Sequence, residues 1–279
     1  MSAAADTLPD LSATYLVPQA KIDYYRHNGH VVLRNICTRE ELDSIYPSLA
    51  SSVDRFKKEK LKLEDRDTYH KAFIQVTNLW RLDETVKRFV TAQRFARIAA
   101  DLMGVRGVRI YHDQALFKEP GGGHTPWHQD QYYWPIEGNN AITMWMPFVT
   151  APIEKGTMSF AGGLQKGPLV QLGISDASSD WYSAYMREHD IPLTTYELSA
   201  GDATFHGGWT PHKAAGNSTK DMRPVMTVIY VDADAKVCEP MNEHQPVDMA
   251  AFFPGLKPGD SINTHLNPVA WEQSANGAH

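Results

Sequence analysis

Cysteine is almost missing from this chain: Cys37 and Cys238 are the only two among 279 residues. They could form one bridge, but two thiols do not make a secreted disulfide framework. Their spacing also fits neither a zinc ribbon nor a thioredoxin-type redox site. Long apolar runs are missing too. The longest, around Ala141–Val149, falls far short of the roughly 20 residues that cross a bilayer. Positive charge is in deficit: 27 Lys and Arg stand against 33 Asp and Glu, a formal net charge of -6. That balance argues against broad electrostatic binding to nucleic acid or to an anionic membrane. The first basic residue is Lys21, so a secretory leader with a positive start is not expected. The last residues, Asn276-Gly277-Ala278-His279, carry neither a peroxisomal nor an ER-retention signal. The expectation is a cytoplasmic protein with no nucleic-acid or membrane partner, a monomer or homodimer that acts on a small molecule.

Hydrophobic residues make up 42% and charged residues 22%, which excludes a disordered, collagen-like or coiled-coil chain. A chain of this length buries roughly three quarters of its unfolded surface, enough for a substantial core. The first 17 residues are small and polar and read as flexible. Pro18–Asn28 reads as a short helix stopped by Gly29, followed by a strand over His30–Leu33. Thr38 and Glu41 form a capping-box signature, with a helix expected to run on to about Lys62. The mixed charges of 57–67 suit a solvated face and a loop. Thr85–Met103 reads as one helix with Val86, Phe89, Val90, Phe95, Ile98 and Leu102 on its buried face and Gly104 at its end.

From about Val105 the pattern changes to short segments rich in β-branched and aromatic residues, separated by Gly and Pro clusters. Val108–Lys118, Ala141–Val149, Tyr196–Leu198, Ala203–His206 and Pro224–Val231 read as strands of an antiparallel sandwich or barrel. An insertion between Leu172 and Pro192 holds a short helix around Trp181–Glu188. The whole reads as one domain over 1–279: a flexible lead-in (1–17), a helical support region (18–104), an all-β core (105–232) and a C-terminal extension (233–279). That extension either closes over the core or serves dimer contacts.

The chemistry-bearing segment is Gly121-Gly122-Gly123-His124-Thr125-Pro126-Trp127-His128-Gln129-Asp130. On a strand, residues i and i+2 share a face, so His128 and Asp130 can reach one point while Gln129 turns to the other side. A distant second imidazole, at His212 or His206, would complete the facial set of two histidines and one carboxylate that non-haem Fe(II) oxygenases use. Eleven residues after His212 stands Arg223. It is either a surface ion-pairing residue or a bidentate grip for a carboxylate such as the far end of 2-oxoglutarate. His124 reads as an exposed loop histidine.

The set His128-Gln129-Asp130, Gly201-Asp202, His212, Asn217 and Arg223 resembles the phytanoyl-CoA dioxygenase-like family of Fe(II)/2-oxoglutarate-dependent oxygenases. The pattern Tyr25-x-x-x-Gly29-His30-Val31-Val32-Leu33, the Thr38-x-x-Glu41-Leu42 that follows, and Lys118-Glu119-Pro120-Gly121 are similar to the same family. The resemblance runs from about residue 18 to about 232. It implies a mainly β fold: a double-stranded β-helix, the cupin-like jelly roll, with the N-terminal helices packed against it. It implies His128, Asp130 and His212 as iron ligands, with no catalytic residue beyond them, and Arg223 as the anchor of 2-oxoglutarate. His212 is preferred to His206 because its spacing to Arg223 fits the family. His112, Thr125 and Trp145 are further candidates for contact with the co-substrate, although His112 and Trp145 equally suit plain packing. Tyr132 and Trp134, with Tyr133 and Trp209 nearby, either line an apolar substrate pocket or pack the barrel mouth.

The implied activity is a dioxygenase that uses Fe(II), 2-oxoglutarate and O2 to oxidise, by default to hydroxylate, an unactivated C–H bond, with succinate and CO2 as co-products. Halogenation is disfavoured because Asp130 is present. Desaturation, epimerisation and cyclisation share the same ligand set, and a non-catalytic metal-binding cupin-like protein is the rival from another class. The sequence departs from the family pattern at Phe160-Ala161-Gly162-Gly163-Leu164, where a Pro-Gly-Ser-His stretch is common. This leaves the metal set untouched and gives no substrate identity.

Overall fold

The computed structural model describes residues 9–274. Its helices are α1 Gln19–Asn28, α2 Arg39–Phe56, α3 Thr68–Ala72, α4 Glu84–Val90, α5 Gln93–Met103, α6 Asp176–Glu188 and α7 Gln245–Phe252. Its strands are β1 His30–Leu33, β2 Ile74–Thr77, β3 Gly107–Phe117, β4 Thr125–His128, β5 Ala141–Pro147, β6 Met158–Ala161, β7 Leu193–Thr195, β8 Ala203–Gly207, β9 His212–Ala214, β10 Val225–Asp232 and β11 Val269–Glu272. They form two antiparallel sheets: a large one in the order β1-β8-β5-β10-β3-β11, with β2 also paired to β3, and a small one in the order β4-β9-β6-β7.

Alternation along the central strands assigns each face of the large sheet a job. Ile142, Met144 and Met146 of β5 and Met226, Val228 and Tyr230 of β10 join the main core with Phe89 and Phe95 of the helical region and Leu42 of α2. The residues between them, Thr143, Trp145, Thr227 and Ile229, face a cavity whose other wall is the small sheet. Both faces are covered, so these strands are buried almost throughout, which is why they read as continuous apolar runs.

Local signals explain most of the helix boundaries. Thr38 accepts from Glu41 N while Glu41 reaches back to Thr38 N, a complete capping box. Gly29 and Gly104 end α1 and α5 in the left-handed region, φ 78° and 76°, where a missing Cβ removes the steric cost. Gly201 is obligatory for a different reason. A Cβ there would lie 2.1 Å from the carbonyl oxygen of Cys37, and its own carbonyl accepts from Ile36 and Cys37 N–H. Next to it, the Asp202 carboxylate accepts from Asn35 N, Ser199 N and Arg34. The Gly201-Asp202 pair therefore fastens the β1 turn to β8.

Several expectations are corrected. The helix expected to reach Lys62 stops at Phe56, because 57–62 offers no apolar face to bury. The helix expected over 85–103 is two: α4 ends at Val90, capped by Thr91, whose hydroxyl bonds back to Lys87 O, and α5 restarts at Gln93. The apolar positions on either side of that break are all buried, so periodicity alone could not reveal it. The strand expected over 196–198 lies at 193–195, leaving Leu198 in a single bridge to Ala151. The helix expected from Trp181 begins at Asp176, capped by Ser175. Part of the lead-in, residues 9–17, is tied down: Leu11 is buried, and Arg94 donates to Asp10 O and Ala13 O. The rest of the lead-in, 1–8, and the final residues 275–279, which include the chain-end signature, lie outside the described residues. Cys37 and Cys238 are both free thiols.

Candidate metal and co-substrate site

His128 ends β4 and His212 opens β9, directly opposite one another in the antiparallel pair. Their ring centroids are 4.2 Å apart. Asp130 is not on the strand, contrary to the i, i+2 reasoning. The chain leaves β4 at Gln129 and turns into a short 3-10 segment, Asp130–Tyr132, and that turn carries the carboxylate back toward the two rings. Asp130 Oδ1 lies 3.4 Å from His128 Nε2 and 3.6 Å from His212 Nε2. One donor atom from each of the three residues lies within 4.8 Å of the others.

The hydrogen bonds fix which nitrogen of each ring is free. His128 Nδ1 meets Pro126 O at 2.8 Å, and His212 Nδ1 meets Thr210 O at 2.9 Å. A carbonyl only accepts, so Nδ1 carries the proton in each neutral ring and Nε2 turns a lone pair toward Asp130. Burial, followed by the neighbouring His128, holds His212 well below the ordinary imidazole range. Burial alone would raise Asp130. The neighbouring imidazoles, His212 first and then His128 and His206, outweigh it and hold the carboxyl well below its usual range. One anionic oxygen and two imidazole lone pairs on one side of a small space are the donor set a divalent first-row metal takes. The residues therefore fit an iron ion.

His206 of β8 lies beside His212, their ring centroids 4.3 Å apart, with its Nε2 3.3 Å from Asp130 Oδ2, where Thr143 Oγ1 also lies at 3.2 Å. Gln129 turns away, as alternation requires, bonding to Trp209 O, Gly167 O and Tyr182. His124 is more than half exposed beside Asp176.

Arg223 lies just ahead of β10 and is 1% exposed. Its guanidinium sits 5.1 Å from the Trp145 ring and donates through Nη1 to Gly156 O, while Nε has no partner. Among the described residues no carboxylate pairs with it, and burial pulls its pKa down to about 9. A buried guanidinium with an unspent donor is costly unless an anion arrives, so this residue fits the carboxylate of a co-substrate. Asn217 holds the loop before it. Its amide donates to Lys118 O, Glu119 O and Asp221 O, and its backbone exchanges hydrogen bonds with Gly121 and Gly122.

His128, Asp130, His212, His206, Thr143 and Arg223 line one cavity of about 710 Å3, within the range of small-molecule sites. His112, Thr125, Trp145 and Trp134 line it. Tyr132 does not, and this is a correction: its neighbour Tyr133 lines the cavity instead. Residues 130–132 form a 3-10 turn, so the strand period of two fails beyond Asp130. Gln75, His244, Asp248 and Phe252 line it too; the sequence singled out neither Gln75 nor Asp248, and pointed to His244 and Phe252 only as parts of the extension that closes over the core or serves dimer contacts. Gln75 is held by Tyr69 and Gln114. The other three belong to the C-terminal extension, which therefore walls the cavity. No helix among the described residues is long and apolar enough to cross a membrane.

A sequence model described as Phytanoyl-CoA dioxygenase (PhyH) matches residues 25–225. Methylphosphonate hydroxylase of Gimesia maris is 26% identical over 145 residues, covering 52% of this chain and 53% of that protein. The chain spans about half the length of the curated relatives it matches. The crystal structure of the epimerase SnoN in complex with Fe3+, alpha ketoglutarate and nogalamycin RO superposes with a TM-score of 0.73 at 25% identity, over 91% of this chain and 98% of that one. The non-heme alpha ketoglutarate dependent carbocyclase SnoK, at 22% identity and TM-score 0.72 over 91% and 96% of the two chains, shares the fold.

Proposed function

This chain belongs to the phytanoyl-CoA dioxygenase family of Fe(II)/2-oxoglutarate-dependent oxygenases, and on that premise we propose that it hydroxylates an unactivated C–H bond of a small organic molecule. The observation that carries the reading is the convergence of His128, Asp130 and His212 in the same cavity as a buried guanidinium without an acidic partner. The two facing antiparallel sheets support a double-stranded β-helix as the frame, in one catalytic unit with its helical support.

In this reading His128 Nε2, Asp130 Oδ1 and His212 Nε2 hold the iron. When bound, the iron couples the oxidative decarboxylation of 2-oxoglutarate by O2, to succinate and CO2, to oxidation of the substrate C–H bond. The protein supplies placement. Arg223 grips the distal carboxylate, and Trp145 beneath it fixes the plane of the guanidinium. Thr125 and His112 complete the polar lining, and Trp134 and Tyr133 bound the substrate side. Peptide carbonyls lock both imidazole tautomers, and His206 and Thr143 hold the second oxygen of Asp130, so the donors are oriented before any metal enters.

A second reading, epimerisation on the same ligand set, is favoured by the likeness to the epimerase SnoN. A mass-spectrometric substrate panel with iron, ascorbate and 2-oxoglutarate separates the outcomes. Hydroxylation adds one oxygen, desaturation or ring closure removes two hydrogens, and epimerisation leaves the mass unchanged. Succinate formed in step with substrate loss supports an oxygenase, and its absence with every substrate would leave a metal-binding protein of the same fold.

A further inference from the structure

The cavity contains a charge that the reaction above does not use. The charged side chains lining it are Asp130, Lys213, Arg223 and Asp248. Lys213 sits between His212 and Ala214 on β9, both facing inward, and its Nζ lies 5.0 Å from the outward-packed Trp127 ring. Its charge is therefore outside. A divalent ion held by one carboxylate and a dianionic co-substrate held by one guanidinium cancel, which leaves Asp248 as the unbalanced charge on the substrate side.

A β-bulge turns Tyr111, the partner of Asp248, to the cavity side. Between β3 and β10, Ile229 faces His112 and Tyr230 faces Ile110, so Tyr111 is left over. The extra residue brings Tyr111 to the same side of the sheet as His112, the two rings 4.6 Å apart, as bulges re-aim side chains. The Tyr111 hydroxyl donates to Asp248 Oδ2. Asp248 Oδ1 makes no hydrogen bond among the described residues. The segment is anchored independently of this contact. Asn242 and Gln245 donate to Tyr132 O, and Gln245 also to Trp134 O, while Phe253 is buried against Tyr111. Aromatic rings line the same cavity as Asp248: Phe252 stacks on His112 at 4.2 Å, and Tyr133 and Trp134 add to the wall.

A carboxylate with one oxygen free, set among aromatic faces, is the environment that holds an organic ammonium by charge and cation–π attraction. Resting on the oxygenase reading, we propose that Asp248 is the substrate-orienting group and that the substrate is a ring-bearing amine, bound as its ammonium. An anion such as a phosphonate is repelled at the same place.

The test uses the full chain loaded anaerobically with Fe(II) and 2-oxoglutarate. The probes are benzylamine, benzyl alcohol and benzoate, which share size and ring and differ in charge. Binding is read by calorimetry and by shift of the melting temperature. Benzylamine is expected to bind saturably, about tenfold or more tighter than the alcohol, and benzoate not at all. Asp248→Asn is expected to erase the preference for the amine, and Tyr111→Phe, which keeps the carboxylate, to retain it. Benzoate binding as well as benzylamine, an unchanged amine affinity in Asp248→Asn, or no amine binding at all overturns the assignment. The visible band of the iron–2-oxoglutarate complex, recorded before any probe is added, separates the two failures. Without the band the oxygenase reading fails. With the band but no amine preference, the role of Asp248 alone fails.

Discussion

His206 Nε2 and Asp130 Oδ2 lie 3.3 Å apart, and the His206 ring lies 4.3 Å from that of His212. Asp130 thus divides its oxygens: Oδ1 faces the two imidazoles, and Oδ2 is held by His206 and Thr143. A group that orients a ligand without binding the metal is worth roughly 10- to 100-fold in metal affinity. His206→Gln is therefore expected to weaken Fe(II) binding by about that factor, and His212→Ala to abolish it. Anaerobic calorimetry measures both. Abolished binding in His206→Gln with only a partial loss in His212→Ala would reverse their roles.

Arg223→Leu removes the buried guanidinium proposed to hold the far carboxylate. Charge-assisted hydrogen bonds of this kind are worth about 1.5–3 kcal/mol, so the apparent affinity for 2-oxoglutarate should fall roughly 10- to 100-fold. The measurement is succinate release against 2-oxoglutarate concentration. An unchanged half-saturation point would remove the anchor role.

Amine affinity should depend on pH. Burial pushes Asp248 up to about 6; the Tyr111 hydrogen bond opposes this shift and the Asp130 charge adds to it. The other titratable groups around it are Tyr133, His112 and His244 of its own segment. Burial holds His112 down at about 4, so it stays neutral as Asp248 titrates. Asp248 is charged above pH 6 and neutral below it. Benzylamine binding should therefore weaken by about tenfold on going from pH 7 to pH 5, and Asp248→Asn should flatten the profile. Binding that is level across this range in the unaltered protein contradicts the assignment.

Asp113 gives a stability test of opposite direction to ordinary acid denaturation. It is fully buried on β3 and accepts from Leu79 N and Trp80 N, yet burial still pushes it up to about 7. The folded state then holds its proton more tightly than the unfolded chain. The contribution of Asp113 is greatest below about pH 4 and is lost as pH rises through about 7. Urea titrations should show the stability difference between the unaltered protein and Asp113→Asn shrinking or reversing over that interval, by up to a few kcal/mol. A difference independent of pH would place the carboxyl outside this linkage.

The clustering of His128, Asp130 and His212 in one cavity with Arg223 was legible because each is identified by residue type and spacing, whatever the path of the chain between them. Thr38 and Glu41 were legible because a capping box is purely local. Three things were not. The bulge at Tyr111 shifts the alternation of β3 by one residue, and only the partner strand reveals it. The turn after His128 replaces a period of two by a period near three, which exchanges Tyr132 for Tyr133 in the lining. Asp248 and Phe252 reach the cavity from a segment far from Asp130 in sequence, and no motif links them. In each case tertiary pairing rather than local propensity decided the outcome.

The most direct test of the central claim is anaerobic titration of the protein with Fe(II) in the presence of 2-oxoglutarate, followed by visible absorption, for the unaltered chain and for Asp130→Ala. The unaltered chain should develop the iron–2-oxoglutarate charge-transfer band and saturate at one iron per chain, and Asp130→Ala should lose it. An unaltered chain that binds no iron, or a band that survives unchanged in Asp130→Ala, contradicts the assignment of His128, Asp130 and His212 as the metal site.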